Sequence, residues 1–556
     1  FLYLRVHGDF QGGGAREWRR PHAHQPEDNL TQPASSPTSG SFRHLLEETD
    51  RFIVAVELET TRGLAMEESS SRTLSLARRL AGSNPVDLIC ITDNPGGNPH
   101  IRPEVMGYEL LARGQEVVIN FSCKDYNRNG IESRLWSLGS LGFDNVLAVT
   151  GDYPITGHAG GPQPVFDIDS VGLLEVMRKM NGGLEIPSRR PGGDPSRLRQ
   201  TSFFPGVAIN PFKSTEAELL PQLFKFGYKI RTGAAWAVTQ IGYDSRKLDE
   251  LKKYAAVNDM DIPILGSVYV LNAPAARVFH HGGIPGITVP DELFELVQKH
   301  ADSEDRGRAF FEEFAAKQIA VLRGIGYRGV YLSGRLPLTR IRRILDLEAS
   351  FGPDDWREFS KEIQFQKPGE FNYYERDQNT GLASDQVNRE YLESKTAKGM
   401  KRARGHVSPA YKAGRTAHGL VFDSAAPASG LARKLYWFAD KRRKVGDLLH
   451  LAEQAVKIPM YGCRDCGDCS LPDIAYLCPE SQCAKNQRNG PCGGSHDGIC
   501  EVGDKRCIWV KAYERTKAYG EEETILDRPV VFKNGALRGT SAWGNTFLKR
   551  DHNAPV

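Results

Sequence analysis

The chain has 556 residues, of which 40% are hydrophobic and 25% are charged, as in a folded protein with more than one domain. Its net charge of +3 is too small to indicate a nucleic acid or an anionic membrane as the main partner. No apolar run reaches the roughly 20 residues that a membrane helix needs, and no secretion signal is visible, so we expect a cytoplasmic protein.

The N-terminal segment has a composition unlike the rest of the chain. The first residue is Phe1 rather than Met, so the true N-terminus is left open. Residues 10–42 are rich in Gly, Pro, Ser, His and Arg, and we expect residues 1–45 to form a disordered extension. A transit peptide is the alternative, and the acidic residues of the segment argue against it.

Eight short apolar runs alternate with helical patterns between residues 50 and 335. The predicted strands are 53–58, 86–93, 117–122, 145–152, 203–210, 236–244, 262–270 and 329–334. Several are almost continuously apolar, which is typical of parallel strands buried on both faces. Residues 216–230 and 308–325 show the clearest helical periodicity. We therefore predict an α/β fold, a (β/α)8 TIM barrel over 46–345, with an open doubly wound sheet as the alternative.

Polar residues stand at the C-terminal ends of six of these strands. They are Glu57, Thr92, Asp93, Asn120, Asp152, Asn210 and Gln240. Each one alone could be a loop or cap residue. In a (β/α)8 barrel, however, this end of the strands carries the active site, so we expect these side chains to converge there.

One G-x-G-x-x-G pattern occurs, at Gly324, Gly326 and Gly329. A dinucleotide-binding loop needs a strand before it and a helix after it. Here a helical pattern precedes the glycines and a strand pattern follows them, so we interpret the motif as a helix stop.

Two further segments connect or extend the barrel. Residues 181–201 indicate a long loop before the fifth strand, and residues 346–444 a charged linker or helical region. The basic run 395–406 is most simply a solvated surface, and binding of an acidic electron carrier or a polyglutamate tail is the alternative.

The cysteines indicate a metal-binding C-terminal domain over residues 445–530, followed by a tail at 531–556. Of ten cysteines, eight lie in this domain: Cys463, Cys466, Cys469, Cys478, Cys483, Cys492, Cys500 and Cys507. The first three have C-x2-C-x2-C spacing, which suits one face of a [4Fe–4S] cluster. Eight thiolates could hold two such sites, and zinc bound by four thiolates is the alternative.

The barrel segment resembles the methylenetetrahydrofolate reductase family. VAVELETTRG (54–63) is similar to the family's Phe-Glu-Phe-Phe-Pro-Pro-Arg motif at Glu57 and Arg62, although the residues between them differ. LAVTGDYP (147–154) resembles an Arg-Gly-Asp-x-Pro stretch with Thr150 in place of Arg. FDIDSVGLL (166–174), KIRTGAAWAVTQIGYD (229–244) and HGGIPGITVPDE (281–292) follow in the family's order.

The resemblance implies a reaction and roles for particular residues. The family interconverts 5,10-methylenetetrahydrofolate and 5-methyltetrahydrofolate, with FAD as hydride carrier. By resemblance, Glu57 is the general acid, with Glu59 as a rival, and Asp152 and Gln240 hydrogen-bond the pterin. Flavin contacts are implied for Thr92, Asn120, Thr150, Gly151, Asp152, Asn210 and Lys229, and a surface position is the alternative for Lys229. Asn120 replaces a His of some members.

Residues 445–520 resemble the C-terminal domain found with some bacterial methylenetetrahydrofolate reductases, and the cysteine-rich subunit of two-subunit acetogen-type enzymes. This implies iron–sulfur centres and an electron-transfer protein such as reduced ferredoxin, with NAD(P)H as the alternative donor. We also expect a homo-oligomer. Two other functions are left open: a tetrahydrofolate-binding methyltransferase component without flavin, and a non-catalytic electron-transfer subunit.

Overall fold

The computed structural model describes residues 40–155, 160–188, 190, 192–423 and 425–554. The described strands are β1 (Ile53–Leu58), β2 (Leu88–Ile91), β3 (Glu116–Ser122), β4 (Asn145–Val149), β5 (Glu185–Ile186), β6 (Ser196–Arg197), β7 (Phe204–Ile209), β8 (Trp236–Thr239), β9 (Ile264–Tyr269), β10 (Gly329–Ser333), β11 (Tyr374–Arg376) and β12 (Ala383–Val387).

The described α-helices begin and end as follows: α1 (Phe42–Glu47), α2 (Glu68–Leu80), α3 (Pro103–Leu111), α4 (Arg128–Leu141), α5 (Ser170–Asn181), α6 (Glu216–Arg231), α7 (Ser245–Val257), α8 (Ala273–His280), α9 (Asp291–Ala301), α10 (Arg308–Ile325), α11 (Leu338–Ala349), α12 (Trp356–Glu362), α13 (Arg389–Ser394), α14 (Ala397–His406), α15 (Pro409–Ala417), α16 (Ser429–Asp440), α17 (Arg443–Tyr461), α18 (Pro479–Gln482), α19 (Ile508–Lys517) and α20 (Ala542–Phe547). Among the described helices none is long and apolar enough to cross a bilayer.

Eight of the described strands run parallel and close into a barrel, in the order β1-β2-β3-β4-β7-β8-β9-β10. Each begins inside or one residue before an apolar run of the sequence. The barrel is closed because β1 also pairs with β10, with Ile53 opposite Gly329. The predicted (β/α)8 fold is therefore confirmed, and the open sheet is excluded.

A layer of side chains fills the interior of the barrel near its N-terminal end. Trp236 is fully buried there, and Gly206 leaves the room it needs, since a Cβ on Gly206 would lie 2.2 Å from the indole ring. Helix α1 closes this end, with Phe42 against Trp236 at a ring-centroid distance of 5.1 Å.

The prediction of a disordered extension over residues 1–45 is wrong at its end. Residues 1–39 lie outside the described residues, but α1 begins at Phe42 and is capped by Ser41, which accepts a hydrogen bond from the backbone N–H of His44. Phe42 and Leu46 stand one helical turn apart and are both buried. This small apolar stripe makes the segment part of the barrel core.

The glycine pattern near residue 324 is a helix stop, as predicted. Helix α10 ends at Ile325, and Gly326 follows with a φ of 90°, a conformation that favours glycine. Strand β10 then begins at Gly329, where a Cβ would lie 2.4 Å from the carbonyl oxygen of Ile53.

The regions predicted as connections carry more structure than expected. The loop over residues 181–201 holds the short antiparallel hairpin of β5 and β6. Residues 346–444 are not a free linker, because Ile363, Tyr374 and Tyr391 are buried in the main core. Helix α14, which contains most of the basic run 395–406, has no buried residue, as expected of a solvated surface.

The C-terminal domain packs on the outside of helices α5 and α6. Val171 and Tyr228 of these helices share a buried cluster with Trp509 of α19 and with Ile474. Of the predicted tail at 531–556, the described residues 531–554 are part of this domain. Helix α20 buries Phe547, and the His552 ring contacts the carboxylates of Asp468 and Asp473.

Candidate active site

A cavity of about 310 Å³ lies at the C-terminal ends of the barrel strands. Its wall includes all of the barrel residues for which the sequence predicted a role in binding or catalysis: Glu57, Thr92, Asn120, Thr150, Gly151, Asp152, Asn210, Lys229 and Gln240. They come from the ends of six strands and from one helix, and the convergence of strand ends brings them together. The geometry groups them, and their individual roles stay predictions.

Glu57 is the most perturbed acidic group in this wall. It is the next-to-last residue of β1, and its Oε2 accepts a hydrogen bond of 3.0 Å from the hydroxyl of Tyr331. That hydroxyl accepts in turn from Nδ2 of Asn120 at 3.1 Å. Burial raises the pKa of Glu57 to about 7, the Tyr331 hydroxyl opposes the rise, and the charge of Glu59 adds to it. Glu57 is therefore a carboxyl group that exchanges its proton near neutral pH.

Glu59, the rival acid, has a different environment. Its Oε2 contacts the guanidinium of Arg335 at 3.0 Å and 2.9 Å, and both side chains are exposed at the rim. Arg62 also lies outside the cavity, where it donates to the side-chain oxygen of Asn98 at 2.8 Å. Strand alternation alone could not separate Glu57 from Glu59, because both have the same parity.

Asp93 also ends a predicted strand, but its carboxylate is bound by other residues of the protein. Its Oδ2 accepts from the buried guanidinium of Arg134 at 2.6 Å and from the backbone N–H of Ser122 at 3.0 Å. Arg134 also binds Glu104 and lies over the ring of Phe121. This paired carboxylate fastens α4 to the ends of β2 and β3.

The floor of the cavity near β3 and β4 offers polar atoms to a ligand. Oδ1 of Asn120 and Oγ of Ser122 are buried without a hydrogen-bond partner in the described part of the chain. Gly151 has a φ of 92°, and a Cβ there would lie 2.1 Å from the Ser122 oxygen. Since an unpaired buried polar atom costs about 1–3 kcal/mol, a ligand that hydrogen-bonds here would relieve that cost.

Asp152 and Gln240 stand at the ends of two strands of the wall. Oδ2 of Asp152 accepts from the backbone N–H of Gly96 at 2.8 Å, which fixes the carboxylate between two loops. Oε1 of Gln240 accepts from the backbone N–H of Ile241 at 2.9 Å. Each side chain is thus held in place by a local backbone contact and still borders the cavity.

Two lysines one helical turn apart on α6 reach the cavity. Lys229 is buried and donates to the carbonyl oxygen of Ala208 at 2.6 Å, so its predicted alternative as a surface residue is excluded. Burial lowers the pKa of Lys229 to about 7, and the ammonium of Lys225 lowers it further. Such lysines can bind an anion, and the bound anion would restore their charge.

The cysteine-rich domain supplies part of the same wall through a loop at residues 490–495, here called the 490–495 loop. Lys225 donates to the carbonyl oxygens of Gly490 and Pro491, at 3.3 Å and 3.0 Å. Lys213 donates to those of Gly493 and Ser495, at 2.6 Å and 2.5 Å. The loop therefore carries Cys492 into the cavity wall.

The eight C-terminal cysteines form two groups of four, and no cysteine of the described chain is in a disulfide. Group A, which lines one small cavity, consists of Cys463, Cys466, Cys469 and Cys478. Group B consists of Cys483, Cys492, Cys500 and Cys507. Burial raises the pKa of Cys492, and the nearby thiols of Cys507 and Cys483 add to the rise. Burial raises the pKa of Cys469 and of Cys507 to about 11. As the described side chains stand, no three His, Cys, Asp or Glu groups surround a single metal ion.

Several residues of the cavity wall were missed in the sequence. Tyr331 is on β10 at a position that faces the barrel interior, and strand alternation could have identified it. Lys225 stands four residues before Lys229, and that helical spacing was a usable signal. Lys485, which donates to the carbonyl oxygen of Gly151 at 2.8 Å, and Glu501 come from the other domain, and no pattern indicated them.

The fold and the site define an α/β-barrel protein whose polar strand ends are covered by a cysteine-rich domain. Residues 42–332 match the family described as methylenetetrahydrofolate reductase, and residues 443–534 match the methylene-tetrahydrofolate reductase C terminal. Because the first match spans more than half of the 556 residues, the chain belongs to the methylenetetrahydrofolate reductase family. Both parts of the resemblance are confirmed, and membership indicates an oxidoreductase that acts on a folate.

Two solved structures show weaker similarity. An uncharacterized protein from Clostridium thermocellum that binds two copies of 5-methyl-5,6,7,8-tetrahydrofolic acid is 13% identical, covers 54% of this chain and 94% of its own, and has a TM-score of 0.38. Yersinia pestis DHPS with a pterine-sulfa conjugate is 11% identical, covers 55% of this chain and 97% of its own, and has a TM-score of 0.30. A search of curated proteins found no match.

Proposed function

We propose that this protein is a flavin-dependent methylenetetrahydrofolate reductase, which interconverts 5,10-methylenetetrahydrofolate and 5-methyltetrahydrofolate. The observation that carries the proposal is Glu57, a carboxyl group with a pKa of about 7 in the wall of the strand-end cavity. A general acid is most effective when its pKa lies near the working pH. An ordinary exposed glutamate, with its pKa near 4.3, would hold almost no proton there.

In the reductive direction, the proton of Glu57 goes to N10 of the folate. The bond from N10 to the bridging methylene carbon then breaks, and the carbon stays on N5 as an iminium. The hydroxyl of Tyr331, held by Asn120, fixes the carboxyl group and stabilises its anion after the proton has left. Asp152 and Gln240 would hydrogen-bond the pterin ring, and the carboxylate of Asp152 also favours the cationic iminium.

FAD would be held by Thr92, Asn120, Thr150, Gly151, Asp152, Asn210 and Lys229. The unpaired atoms of Asn120 and Ser122, the close backbone at Gly151 and the buried lysines fit such a ligand. The flavin, when bound, supplies hydride to the methylene carbon. The anionic pyrophosphate suits the ammonium of Lys229, and the cover over the cavity excludes water from the reacting groups.

The two cysteine groups would each hold an iron–sulfur cluster, with zinc as the alternative. The donor sets support this, because each group supplies four thiols and group A surrounds a cavity of its own. The clusters would supply one-electron transfer. Group B is the nearer to the folate site, since Cys492 lines that cavity. We place the enzyme in the cytoplasm, where thiols stay reduced, with a reduced ferredoxin or NAD(P)H as donor.

The test of the catalytic proposal compares Glu57→Gln with Glu59→Gln. Removing the general acid is expected to lower the turnover of folate by about 10²- to 10⁴-fold, while flavin content and flavin reduction stay normal. The Glu59 variant loses an exposed ion pair worth at most about 1 kcal/mol and should stay within about fivefold of wild type. Near-normal turnover by Glu57→Gln would show that the acid is another group.

The cofactor proposal is tested on protein purified without oxygen. Flavin, iron, acid-labile sulfide and zinc are measured on the same sample, together with the visible spectrum before and after reduction. We expect FAD, iron and sulfide, and a broad absorbance that bleaches on reduction. A methyltransferase component would contain no flavin, and a purely yellow protein with stoichiometric zinc would exclude the clusters.

A further inference from the structure

A second and larger cavity, of about 640 Å³, lies within the C-terminal part of the chain between helices α15, α17 and α20. It is separate from the barrel cavity and shares no lining residue with it. Its volume is in the range of small-molecule sites, roughly 300–1,000 Å³. The proposed folate reaction does not use this space.

Aromatic rings form one side of this second cavity. Phe422 and Phe547 are stacked, with an interplanar angle of 19° and a centroid distance of 5.3 Å, and Trp543 lies 5.6 Å from Phe422. Tyr476 and His418 add further flat surfaces. Walls of this kind suit a planar aromatic ring, because ring faces stack on one another and exclude water.

The charges around the cavity indicate an anionic group on the ligand. Arg433 and Lys549 line it, are exposed, and form no ion pair with any residue of the described segments. Three acidic residues also line the cavity, and each has a partner: the exposed Asp423 accepts a hydrogen bond from the backbone N–H of Ala425 at 3.0 Å. Asp473 pairs with Arg528 and His552, and Asp551 accepts from the Thr546 hydroxyl at 2.7 Å.

The cavity also borders group A. Cys469 lines both this space and the small cavity that the four thiols of group A surround. A ring bound here would therefore lie beside a sulfur atom of that group. This step rests on the iron–sulfur cluster proposed for group A: beside such a cluster, a planar anionic ligand with a redox-active ring could exchange electrons with it.

We propose that the second cavity binds flavin mononucleotide, with the isoalloxazine ring among Phe422, Trp543 and Phe547 and the phosphate between Arg433 and Lys549. This would be a second flavin site, independent of the FAD proposed for the barrel. Size, aromatic lining and the two free cations together select a flat tricyclic ring with one phosphate.

The experiment titrates flavin mononucleotide, followed by its fluorescence, into the full-length protein that has first been saturated with FAD. We expect one additional equivalent to bind with a Kd of about 10 µM or tighter, and riboflavin to bind about tenfold more weakly because it lacks the phosphate. Arg433→Glu should abolish the difference between the two ligands. Its matched control, Lys434→Glu, lies next to it outside the cavity and should not.

A second pair of variants tests the position of the ring. Ala417 is exposed to the cavity at the end of α15, so Ala417→Trp fills the space, whereas Thr416→Trp adds the same side chain outside it. We expect the first variant to lose flavin mononucleotide and keep FAD, and the second to bind both. Absence of binding at about 1 mM, equal affinity for riboflavin, or normal binding by Ala417→Trp would overturn the proposal. The FAD content reports on the barrel proposal separately.

Discussion

Replacing Tyr331 by Phe removes one hydroxyl that controls the acidity of Glu57. This hydroxyl donates to Oε2 of Glu57 at 3.0 Å and so favours the carboxylate over the neutral acid. A hydrogen bond to a charged group contributes about 1.5–3 kcal/mol, and part of it persists to the neutral acid. We therefore expect the pKa of Glu57 to rise by about one unit, which corresponds to about 1.4 kcal/mol.

The pH dependence of kcat/KM for folate reduction measures this shift. The reaction needs protonated Glu57, so the rate falls as the pH rises through its pKa of about 7. In Tyr331→Phe this alkaline limb should move to higher pH by about one unit. The matched control is Tyr327→Phe, which removes a buried hydroxyl that donates to the carbonyl oxygen of Leu248 at 2.9 Å, away from the cavity. An alkaline limb that stays in place, or moves to lower pH, would refute the reasoning.

Three further perturbations have defined outcomes. Lys229→Met should weaken FAD binding and remove the pH dependence of that binding. In the wild type, affinity for FAD should fall between about pH 6 and pH 8, because Lys229 loses its proton around its pKa of about 7. FAD titrations at several pH values measure this. Gly151→Ala should cost about 1–3 kcal/mol more in urea unfolding than Gly114→Ala, because both glycines have a positive φ but only the Cβ at 151 meets an atom within 4 Å. Cys492→Ser should lose the metal of group B and keep that of group A, and Cys466→Ser should do the reverse. Metal analysis of both variants measures this. Equal losses in the two variants would contradict two independent sites.

The barrel could be predicted from the sequence because its strands are buried on both faces. Runs such as 53–58 and 145–149 contain one polar residue each, and this pattern is hard to mistake for a surface strand. The grouping of Glu57, Asn120 and Asp152 followed from the fold alone, since every parallel strand of a barrel ends at the same face. The apolar strand pattern and the rule that parallel barrel strands end at one face were therefore sufficient to predict the barrel and the grouping of these residues.

Other features depend on contacts between distant segments, which spacing does not encode. The division of the cysteines into groups A and B rests on which side chains surround one small cavity, and the C-x2-C pattern does not give it. Helix α1 was missed because six helical residues carry little periodicity, although Phe42 and Leu46 are one turn apart. The burial of Phe547 and His552 could not be foreseen, because their partners lie about 80 to 110 residues earlier.

The hydrogen bonds between barrel side chains and the 490–495 loop would set how often the loop opens, if folate enters the cavity past it. Five hydrogen bonds join the loop to Lys213, Lys225 and Asn210, and each contributes about 0.5–1.5 kcal/mol net. Because these contacts are polar, water can replace them when the loop lifts. Their sum, about 2.5–7.5 kcal/mol, corresponds to an open population of about one molecule in 10² to 10⁵. The rate at which folate enters and leaves would then depend on the lysines of α6 and its preceding loop, and slow product release would be a property of the domain fusion rather than of the barrel.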